Sequence, residues 1–153
     1  MKTTHQQLDD FFAASSLAIA GVSRDTKKFG NAVFRTLTDR GLKVYALNPN
    51  IDEVNGLPCY KKMSDLPEKA ESMIILTKED KALPILKEAV ASGIRNIWFH
   101  NKVKDSAILK IIEDNNLNLI QGECILMFAP PVTGFHRFHR FLRGIAGSLP
   151  VPA

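Results

Sequence analysis

The chain has 153 residues, of which 45% are hydrophobic and 24% are charged. These proportions fit one globular domain, and the length allows a core that needs neither a disulfide nor a metal to fold. The longest apolar runs are too short to cross a bilayer, so we expect no membrane-spanning segment. The polar, acidic start does not resemble a secretory signal, and the two cysteines form no CxxC pair. A reduced, cytoplasmic protein is the simpler interpretation.

The first predicted elements alternate between strand and helix, and this alternation continues along most of the chain. It predicts a parallel sheet with helices on both faces, joined by right-handed crossovers. A short helix over Gln6–Ala14 is expected before the first strand. Five strands are predicted, at Ser16–Val22, Leu42–Leu47, Ser72–Leu76, Asn96–Phe99 and Leu117–Ile120.

Between these strands, apolar residues recur at helical spacing. Stripes at Val33–Leu37, Leu83–Val90 and Ile108–Ile112 predict three amphipathic helices that pack on the sheet. The segment Pro49–Ala70 contains several turn signals. It is predicted to be a long connection with a short helical turn.

The end of the chain carries most of the net charge of +4. No acid follows Glu123, whereas Arg137, Arg140 and Arg143 do. Three charges are too few for strong affinity to phosphate, so neither nucleic acid nor a membrane is the expected partner. The phenylalanines between the arginines favour a tail, about 126–153, that docks on the domain, on a second copy of the chain or on a protein partner.

A glycine-bounded loop follows the first strand within residues 19–37, IAGVSRDTKKFGNAVFRTL. In a doubly wound sheet, ligands bind beyond the carboxyl ends of the strands, where the strand order reverses. The helix after the loop directs its unpaired amides and its partial positive charge to that crevice. Ser23 adds a hydroxyl, while Arg24, Lys27 and Lys28 add cations. The loop is therefore predicted to bind an anion such as a phosphate.

Two common nucleotide signatures are missing from this region. Residues 21–30 contain no GxGxxG, and the second strand ends in Asn48-Pro49 rather than in the acid that binds the ribose of NAD. The Walker pattern GxxxxGK[ST] is also absent, which argues against an ATPase. A ligand with a phosphorylated ribose fits better, because an acid at that position would repel it.

The order and spacing of three short motifs carry a resemblance to a known family. The motifs are the G-x-S loop at Gly21–Ser23, the Asn48-Pro49 that ends the second strand and the Gly122–Cys124 segment after the last strand. With the sequence around them, over residues 16–125, the chain resembles the small single-domain CoA-binding proteins. These are similar to the CoA-binding domain of the succinyl-CoA synthetase alpha subunit. The resemblance implies a single α/β domain with a Rossmann-like, doubly wound, five-stranded parallel sheet and helices on both faces.

The resemblance further implies that the ligand is coenzyme A or an acyl-CoA, bound at the carboxyl edge of the sheet. Carried over to this chain, the family pattern expects Gly21, Val22 and Ser23 to line the phosphates. Arg24 and Lys28 would face the pyrophosphate or the 3′-phosphate.

The same resemblance assigns the rest of the expected site. Asn31 would cap the helix after the loop. Asn48 and Pro49 would bound the adenosine, where a proline can pack against a purine. Thr77 and Lys78 would touch the ligand just past the third strand, although the Thr77 hydroxyl could instead cap the helix that follows.

Catalysis is not expected, because the sequence offers neither a Ser-His-Asp arrangement at strand ends nor an HExxH motif. His136 and His139 lack a third ligand, so no metal site is expected. Two alternatives to CoA binding stay open. Lys61 and Lys62 could meet the 2′-phosphate of NADP in an oxidoreductase. The basic, aromatic tail could instead make the protein a metabolite-responsive interaction protein.

Individual positions or roles are also expected for four further residues. Cys124 follows the last strand, where a thiolate could form a mixed disulfide with CoA, but a small packing residue is the simpler interpretation. His100 follows the fourth strand and is expected to be satisfied by the backbone. Cys59 is expected in an exposed loop without a role, and Trp98 is expected in the core.

Overall fold

The computed structural model describes residues 2–131, which form one sheet flanked by helices. The sheet has the strand order β3-β4-β2-β1-β5-β6-β7, with the strands numbered along the chain. All neighbours are parallel except β3 and β4, which pair antiparallel at one edge. The strands are β1 Leu17–Ala20, β2 Val44–Leu47, β3 Glu53–Val54, β4 Leu57–Tyr60, β5 Ser72–Ile75, β6 Asn96–Phe99 and β7 Asn118–Gln121.

Helices cover both faces of this sheet. Because side chains alternate along a strand, Leu17 and Ile19 of β1 join one apolar cluster, whereas Ala18 and Ala20 join the other. The first cluster takes residues from the first two helices, and the second takes residues from the last two. The helices are α1 His5–Phe12, α2 Phe29–Asp39, α3 Glu79–Ala91 and α4 Ser106–Asp114, with 3₁₀ turns at Met63–Asp65 and Ile125–Met127.

The α/β, Rossmann-like class and the five predicted parallel strands are confirmed, but the strand count is wrong. The segment Pro49–Ala70 is not only a connection, because it contains the β3–β4 hairpin. Asn55 and Gly56 turn this hairpin with φ values of 52° and 77°, as tight two-residue hairpins require. The hairpin was missed because β3 has only two residues and β4 contains Pro58.

The packed domain also extends further than expected. Residues 126–129, which we assigned to the start of the tail, are buried in the apolar cluster beneath α2. Arg40, just after α2, holds them with Nη1, which donates to the carbonyls of Leu126 at 3.2 Å and Ala129 at 2.8 Å. The tail beyond residue 131, with its arginines and its histidine pair, lies outside the described residues. Its predicted docking role stays a prediction.

Trp98 lies in the core, as predicted, and is fully buried. Its ring contacts that of Phe11 edge to face, with the centroids 5.2 Å apart. Its Nε1 donates to the carbonyl of Glu123 at 2.9 Å, which satisfies the polar end of the indole. Trp98 therefore links α1, β6 and the turn after β7.

Candidate functional site

The carboxyl ends of β1 and β5 meet at the point where the strand order reverses. From β1 the chain passes through α2 to β2 on one side, whereas β5 lies on the other side of β1. Both α2 and α3 begin at this edge, because each follows one of these strands. Ligands of open α/β sheets bind at such a switch point.

Two adjoining cavities open at this edge, and both are of a size typical of ligand pockets. The loop cavity, of about 550 Å³, lies between Lys28 and Phe29 at the start of α2 and Lys78 at the start of α3. The Asn-Pro cavity, of about 560 Å³, lies beside Asn48 and Pro49 at the end of β2. Five residues line both cavities: Gly21, Ser23, Thr77, Asp80 and Lys81.

Two glycines bring the loop, α2 and β5 together. Gly21 has a φ of 115°, which favours glycine, and a Cβ there would lie 2.7 Å from the Cβ of Leu76. A Cβ on Gly30 would overlap the carbonyl oxygen of Gly21. The absence of a side chain at these two positions lets the loop backbone approach α2 and β5 closely. The glycines of the dinucleotide fingerprint allow a similar close approach, but their spacing in the sequence is different.

Asn31 holds the loop instead of capping the helix, which corrects our expectation. Its Oδ1 accepts from the amide of Ser23 at 2.8 Å, and its Nδ2 donates to the carbonyl of Ser23 at 2.8 Å. Asn31 is 1% exposed, so its side chain holds the loop backbone from the protein interior. Lys28 is the N-cap residue of α2, and its side chain makes no capping bond within the described residues. The first two amides of α2, those of Phe29 and Gly30, therefore have no acceptor within the described residues.

Asn48 ties the ends of β1 and β2 together. Its Nδ2 donates to the carbonyl of Val22 at 2.8 Å, and its Oδ1 accepts from the amide of Asn50 at 2.8 Å. The carbonyl of Asn50 in turn accepts from Nη2 of Arg24 at 2.7 Å. This chain of bonds holds Arg24 beside the end of β2.

Most of the predicted site residues come together in the cavity walls. Arg24 and Asn31 are the two exceptions, and both act on the surrounding backbone through hydrogen bonds. The predicted residues that line one or both cavities are Gly21, Val22, Ser23, Lys28, Asn48, Pro49, Thr77 and Lys78.

Sequence reasoning missed several wall residues from the starts of α2 and α3. These residues could have been predicted from the sequence. A helix that follows a parallel strand begins at the edge of the sheet where that strand ends. The missed residues on the two helices are Phe29, Gly30, Asp80, Lys81, Pro84 and Ile85, and those at or next to the strand ends are Ala20, Leu47, Asn50 and Leu76.

Positive charge dominates the loop cavity. Lys28, Lys78 and Lys81 line it together with a single acid, Asp80. The first turn of α3 contains Glu79 and Asp80, whereas that of α2 contains no acid. Carboxylates at the start of a helix offset its dipole, so α2 keeps more of its partial positive charge for an anion than α3 does.

Two buried polar atoms lie at the ends of β5 and β6. The Thr77 hydroxyl has no hydrogen-bond partner within the described residues, and Lys78 is the N-cap of α3, so Thr77 does not cap that helix. Nδ1 of His100 also lacks a partner within residues 2–131, although we expected the backbone to satisfy this histidine. The His100 ring lies 4.6 Å from the ring of Phe29, centroid to centroid. Burial lowers the pKa of His100 and favours its neutral form.

Neither cysteine forms a disulfide within residues 2–131, and neither lines the loop cavity or the Asn-Pro cavity. Cys59 lies in β4 and is 7% exposed, which corrects the expected exposed loop. This burial raises the pKa of the Cys59 thiol. Cys124 is half-buried and packs against the apolar cluster beneath α2, in agreement with a packing role.

Residues 2–131 contain no group of three or more His, Cys, Asp and Glu side chains that could hold a metal ion. None of the helices in that range has the length and apolar character needed to span a bilayer.

Comparison with known proteins identifies the family. A model described as CoA binding domain matches residues 15–130, which include the whole sheet and both cavities. The chain belongs to the CoA-binding domain family. Membership supports coenzyme A, the cofactor expected from the sequence.

This CoA-binding domain is also found in longer curated relatives. The alpha subunit of an ADP-forming acetate–CoA ligase II from Pyrococcus furiosus is 33% identical over 129 residues, which are 77% of this chain and 28% of the relative. An ADP-forming acetate–CoA ligase from Methanocaldococcus jannaschii is 27% identical over 123 residues, 72% of this chain and 17% of the relative. The chain thus matches less than a third of the length of either relative.

Solved structures of similar proteins share the fold of this CoA-binding domain. A conserved hypothetical protein from Pyrococcus furiosus has a TM-score of 0.66 and 30% identity, over 72% of this chain and 95% of that chain. The dinucleotide-forming acetyl-coenzyme A synthetase 1 from Ca. Korarchaeum cryptofilum has a TM-score of 0.66 and 27% identity, over 74% of this chain and 27% of that chain. The fold therefore occurs both in a chain of similar extent and within a larger synthetase.

Proposed function

We propose that the protein binds coenzyme A or an acyl-CoA across the two cavities, with the diphosphate at the start of α2. The observation that carries this proposal is the loop cavity, where three lysines face a helix N-terminus that has no acid of its own. Such a site favours a phosphate group. The family supplies the identity of the phosphate-bearing ligand.

The diphosphate would be held by a hydroxyl and by helix amides. Oγ of Ser23 accepts from the amide of Asp25 at 3.2 Å, and a hydroxyl that accepts one bond can still donate its own proton. The amides of Phe29 and Gly30 lie in the first turn of α2, where no intrahelical acceptor exists. The amide of Ser23 is already bonded to Asn31, so it is not part of the proposed phosphate contacts.

The adenosine would lie in the Asn-Pro cavity. Pro49 from the end of β2 and Pro84 and Ile85 from α3 line it, and these apolar groups suit the faces of a purine. Asn48 stands where NAD-binding proteins carry an acid, so the end of β2 does not repel a phosphorylated ribose. Arg24 lies beside the same strand end through its bond to Asn50, which makes it a candidate for the 3′-phosphate.

Lys61 and Lys62 provide further positive charge at the adenosine end. They line a cavity of about 60 Å³ that shares Asn48 and Pro49 with the Asn-Pro cavity. These lysines suit the 3′-phosphate of CoA as well as the 2′-phosphate of NADP. Family membership favours CoA over the oxidoreductase alternative.

Binding without turnover is part of the proposal. The relatives that are named as ligases are much longer than this chain, which corresponds to 28% and 17% of two of them. The proposal therefore does not extend the activity of the full-length ligases to this chain. The absence of a disulfide between the two cysteines of the described residues is compatible with the reducing, cytoplasmic location that we include in the proposal. The interaction-protein alternative depends on the basic, aromatic part of the tail, which lies beyond the described residues.

Calorimetric titration of the full chain tests this function. We expect CoA to bind more tightly than NAD, NADP or ATP, and Lys28→Glu to weaken CoA about tenfold or more, a loss of about 1.4 kcal/mol. Lys27→Glu is the matched control, because Lys27 is adjacent in sequence but lines neither cavity. Equal affinity for NADP and CoA, or equal effects of the two substitutions, would contradict the proposal.

A further inference from the structure

The tip of the β3–β4 hairpin carries an asparagine followed by a glycine. Asn55-Gly56 is the only such pair in the sequence, and both residues are exposed. Their φ values of 52° and 77° are those of a two-residue hairpin turn. A glycine has no Cβ to shield its backbone nitrogen. The nitrogen of Gly56 therefore reaches the side-chain amide of Asn55 with less hindrance than the nitrogen of another residue type would meet.

The reaction open to this pair is deamidation by water. The backbone nitrogen of Gly56 forms a bond to Cγ of Asn55, and the bond between Cγ and Nδ2 breaks. Nδ2 leaves as ammonia with the proton that the Gly56 nitrogen loses, and a succinimide ring remains. Water then opens the ring, so that position 55 becomes aspartate or isoaspartate. The net change converts an amide and a water into a carboxylate and an ammonium ion, without oxidation or reduction.

The hairpin is short, so its turn can open locally. β3 has two residues and lies at the edge of the sheet, where it pairs with β4. Pro58 of β4 lies opposite Glu53 and has no N–H to donate. The amide of Gly56 donates to no acceptor within the described residues, so the attacking nitrogen is not held by a hydrogen bond there. Segments with so few ordered bonds open at a low free energy, which lets the turn adopt the geometry of ring closure.

The Asn55 side chain is bonded to the first turn of α2. Its Nδ2 donates to the carbonyl of Asn31 at 2.9 Å. The Asn31 side chain in turn makes two bonds of 2.8 Å to the backbone of Ser23. These three residues therefore join the hairpin, the start of α2 and the loop after β1.

Deamidation removes the bond to Asn31 and adds a charge. A carboxylate at position 55 only accepts hydrogen bonds, as the carbonyl of Asn31 does, so the two oxygens repel each other. The first turn of α2 contains no acid, and the carboxylate places a negative charge beside it. That charge offsets the partial positive charge that the start of the helix offers to an anion. An isoaspartate in addition passes the main chain through Cγ, which changes the geometry of the turn.

We propose that Asn55 is a deamidation site and that its modification weakens the binding of an anionic ligand at the start of α2. The effect on CoA rests on the proposed function, whereas the modification itself does not. Because the nitrogen is lost as ammonia, the modified form accumulates with the age of the protein. The affinity for the ligand therefore decreases as the protein ages.

Mass spectrometry of peptides from the incubated full chain tests the modification. Incubation at mildly alkaline pH favours loss of the proton from the attacking nitrogen. Asn116 is the matched control, because it is exposed and has a φ of 49° but is followed by leucine. We expect the peptide that contains Asn55 to gain the mass of one deamidation well before the peptide that contains Asn116. Equal rates at the two positions, or no change at Asn55, would overturn the proposal.

Calorimetry of the full chain with CoA tests the effect on the site. Asn55→Asp reproduces one product of deamidation, and Asn55→Gly removes the bond to Asn31 without adding a charge. Asn116→Asp adds the same charge just before β7, at the edge of the sheet opposite the cavities. We expect Asn55→Asp to weaken CoA about fivefold, Asn55→Gly to weaken it about threefold and Asn116→Asp to change it less than about twofold.

The other outcomes separate the modification from its effect. If both Asn55 variants bind CoA as tightly as the unaltered protein, or if Asn116→Asp weakens CoA equally, the link to the site is wrong while CoA binding stands. If the unaltered protein does not bind CoA, the proposed function fails and the peptide masses alone decide whether Asn55 is modified. Thermal unfolding of each variant without ligand checks the fold, and Asn55→Gly carries the binding test if Asn55→Asp does not fold.

Discussion

The side chain of Asn31 pairs with both backbone polar groups of Ser23, in two hydrogen bonds of 2.8 Å each. A residue in the first turns of α2 thus holds the loop that precedes the same helix. The backbone of Asn31 is held as well, because its carbonyl accepts from Nδ2 of Asn55 at 2.9 Å. The missed β3–β4 hairpin therefore supports the proposed phosphate site from behind.

Replacing Asn31 should disturb both stability and binding. In Asn31→Ala the two backbone groups of Ser23 lose their partners, so we expect the free energy of unfolding to fall by about 1–3 kcal/mol. CoA affinity should fall too, because the loop loses its brace although the substituted residue lines neither cavity. Urea unfolding and calorimetry measure the two effects. Unchanged CoA affinity would mean that the loop does not position the ligand.

Gly30 and Gly41 provide a matched pair of substitutions. Gly30→Ala introduces a Cβ that overlaps the carbonyl of Gly21, whereas Gly41→Ala meets no atom within 4 Å but must adopt a φ of 85°. Both should destabilise the fold by about 1–3 kcal/mol, one through crowding and the other through backbone strain. Only Gly30→Ala should weaken CoA binding, because only Gly30 lies at the start of α2. Equal CoA affinities for the two variants would contradict this account.

The stability of the protein should depend on pH through His100. Burial lowers the pKa of His100 in the folded state. As the pH falls below the ordinary histidine value of about 6.5, the unfolded chain therefore takes up a proton that the folded protein resists, and stability decreases. Urea unfolding between pH 7.5 and 5.5 should show a shallower decline for His100→Phe than for the unaltered protein. Parallel declines would exclude this effect of His100.

Lys61 and Lys62 should discriminate CoA from dephospho-CoA. If they meet the 3′-phosphate, replacing both by alanine weakens CoA about tenfold and leaves dephospho-CoA nearly unchanged. Lys110→Ala is the control, since Lys110 lies on α4 and pairs with Asp114 at 3.0 Å. Calorimetry at two salt concentrations measures the affinity for both ligands. The difference in affinity between CoA and dephospho-CoA should be smaller at high salt. An equal loss for both ligands would assign the lysines to another part of the nucleotide.

The central elements of the fold could be predicted because their signals are local and strong. The buried parallel strands are continuous apolar runs, and the helices between them have clear stripes. The β3–β4 hairpin gave only a turn signal at Asn55-Gly56, since two residues are too few to show an alternation. The burial of residues 126–129 depends on the carbonyl contacts of Arg40, which sequence does not reveal.

The candidate site was partly predictable for the same reason. Residues that directly follow strands, such as Ser23, Asn48 and Thr77, must lie at the carboxyl edge once the sheet is parallel. The bracing role of Asn31 depends on the geometry of a folded loop, so its position near a helix start suggested a cap instead. The pairing of Phe29 with His100 joins two distant segments and has no local signal.

A crystal structure of the protein with CoA tests the central claim most directly. The account predicts the diphosphate within hydrogen-bond distance of the amides of Phe29 and Gly30 and of the Ser23 hydroxyl, with the adenosine against Pro49. A diphosphate bound elsewhere, with the start of α2 free of ligand, would contradict it.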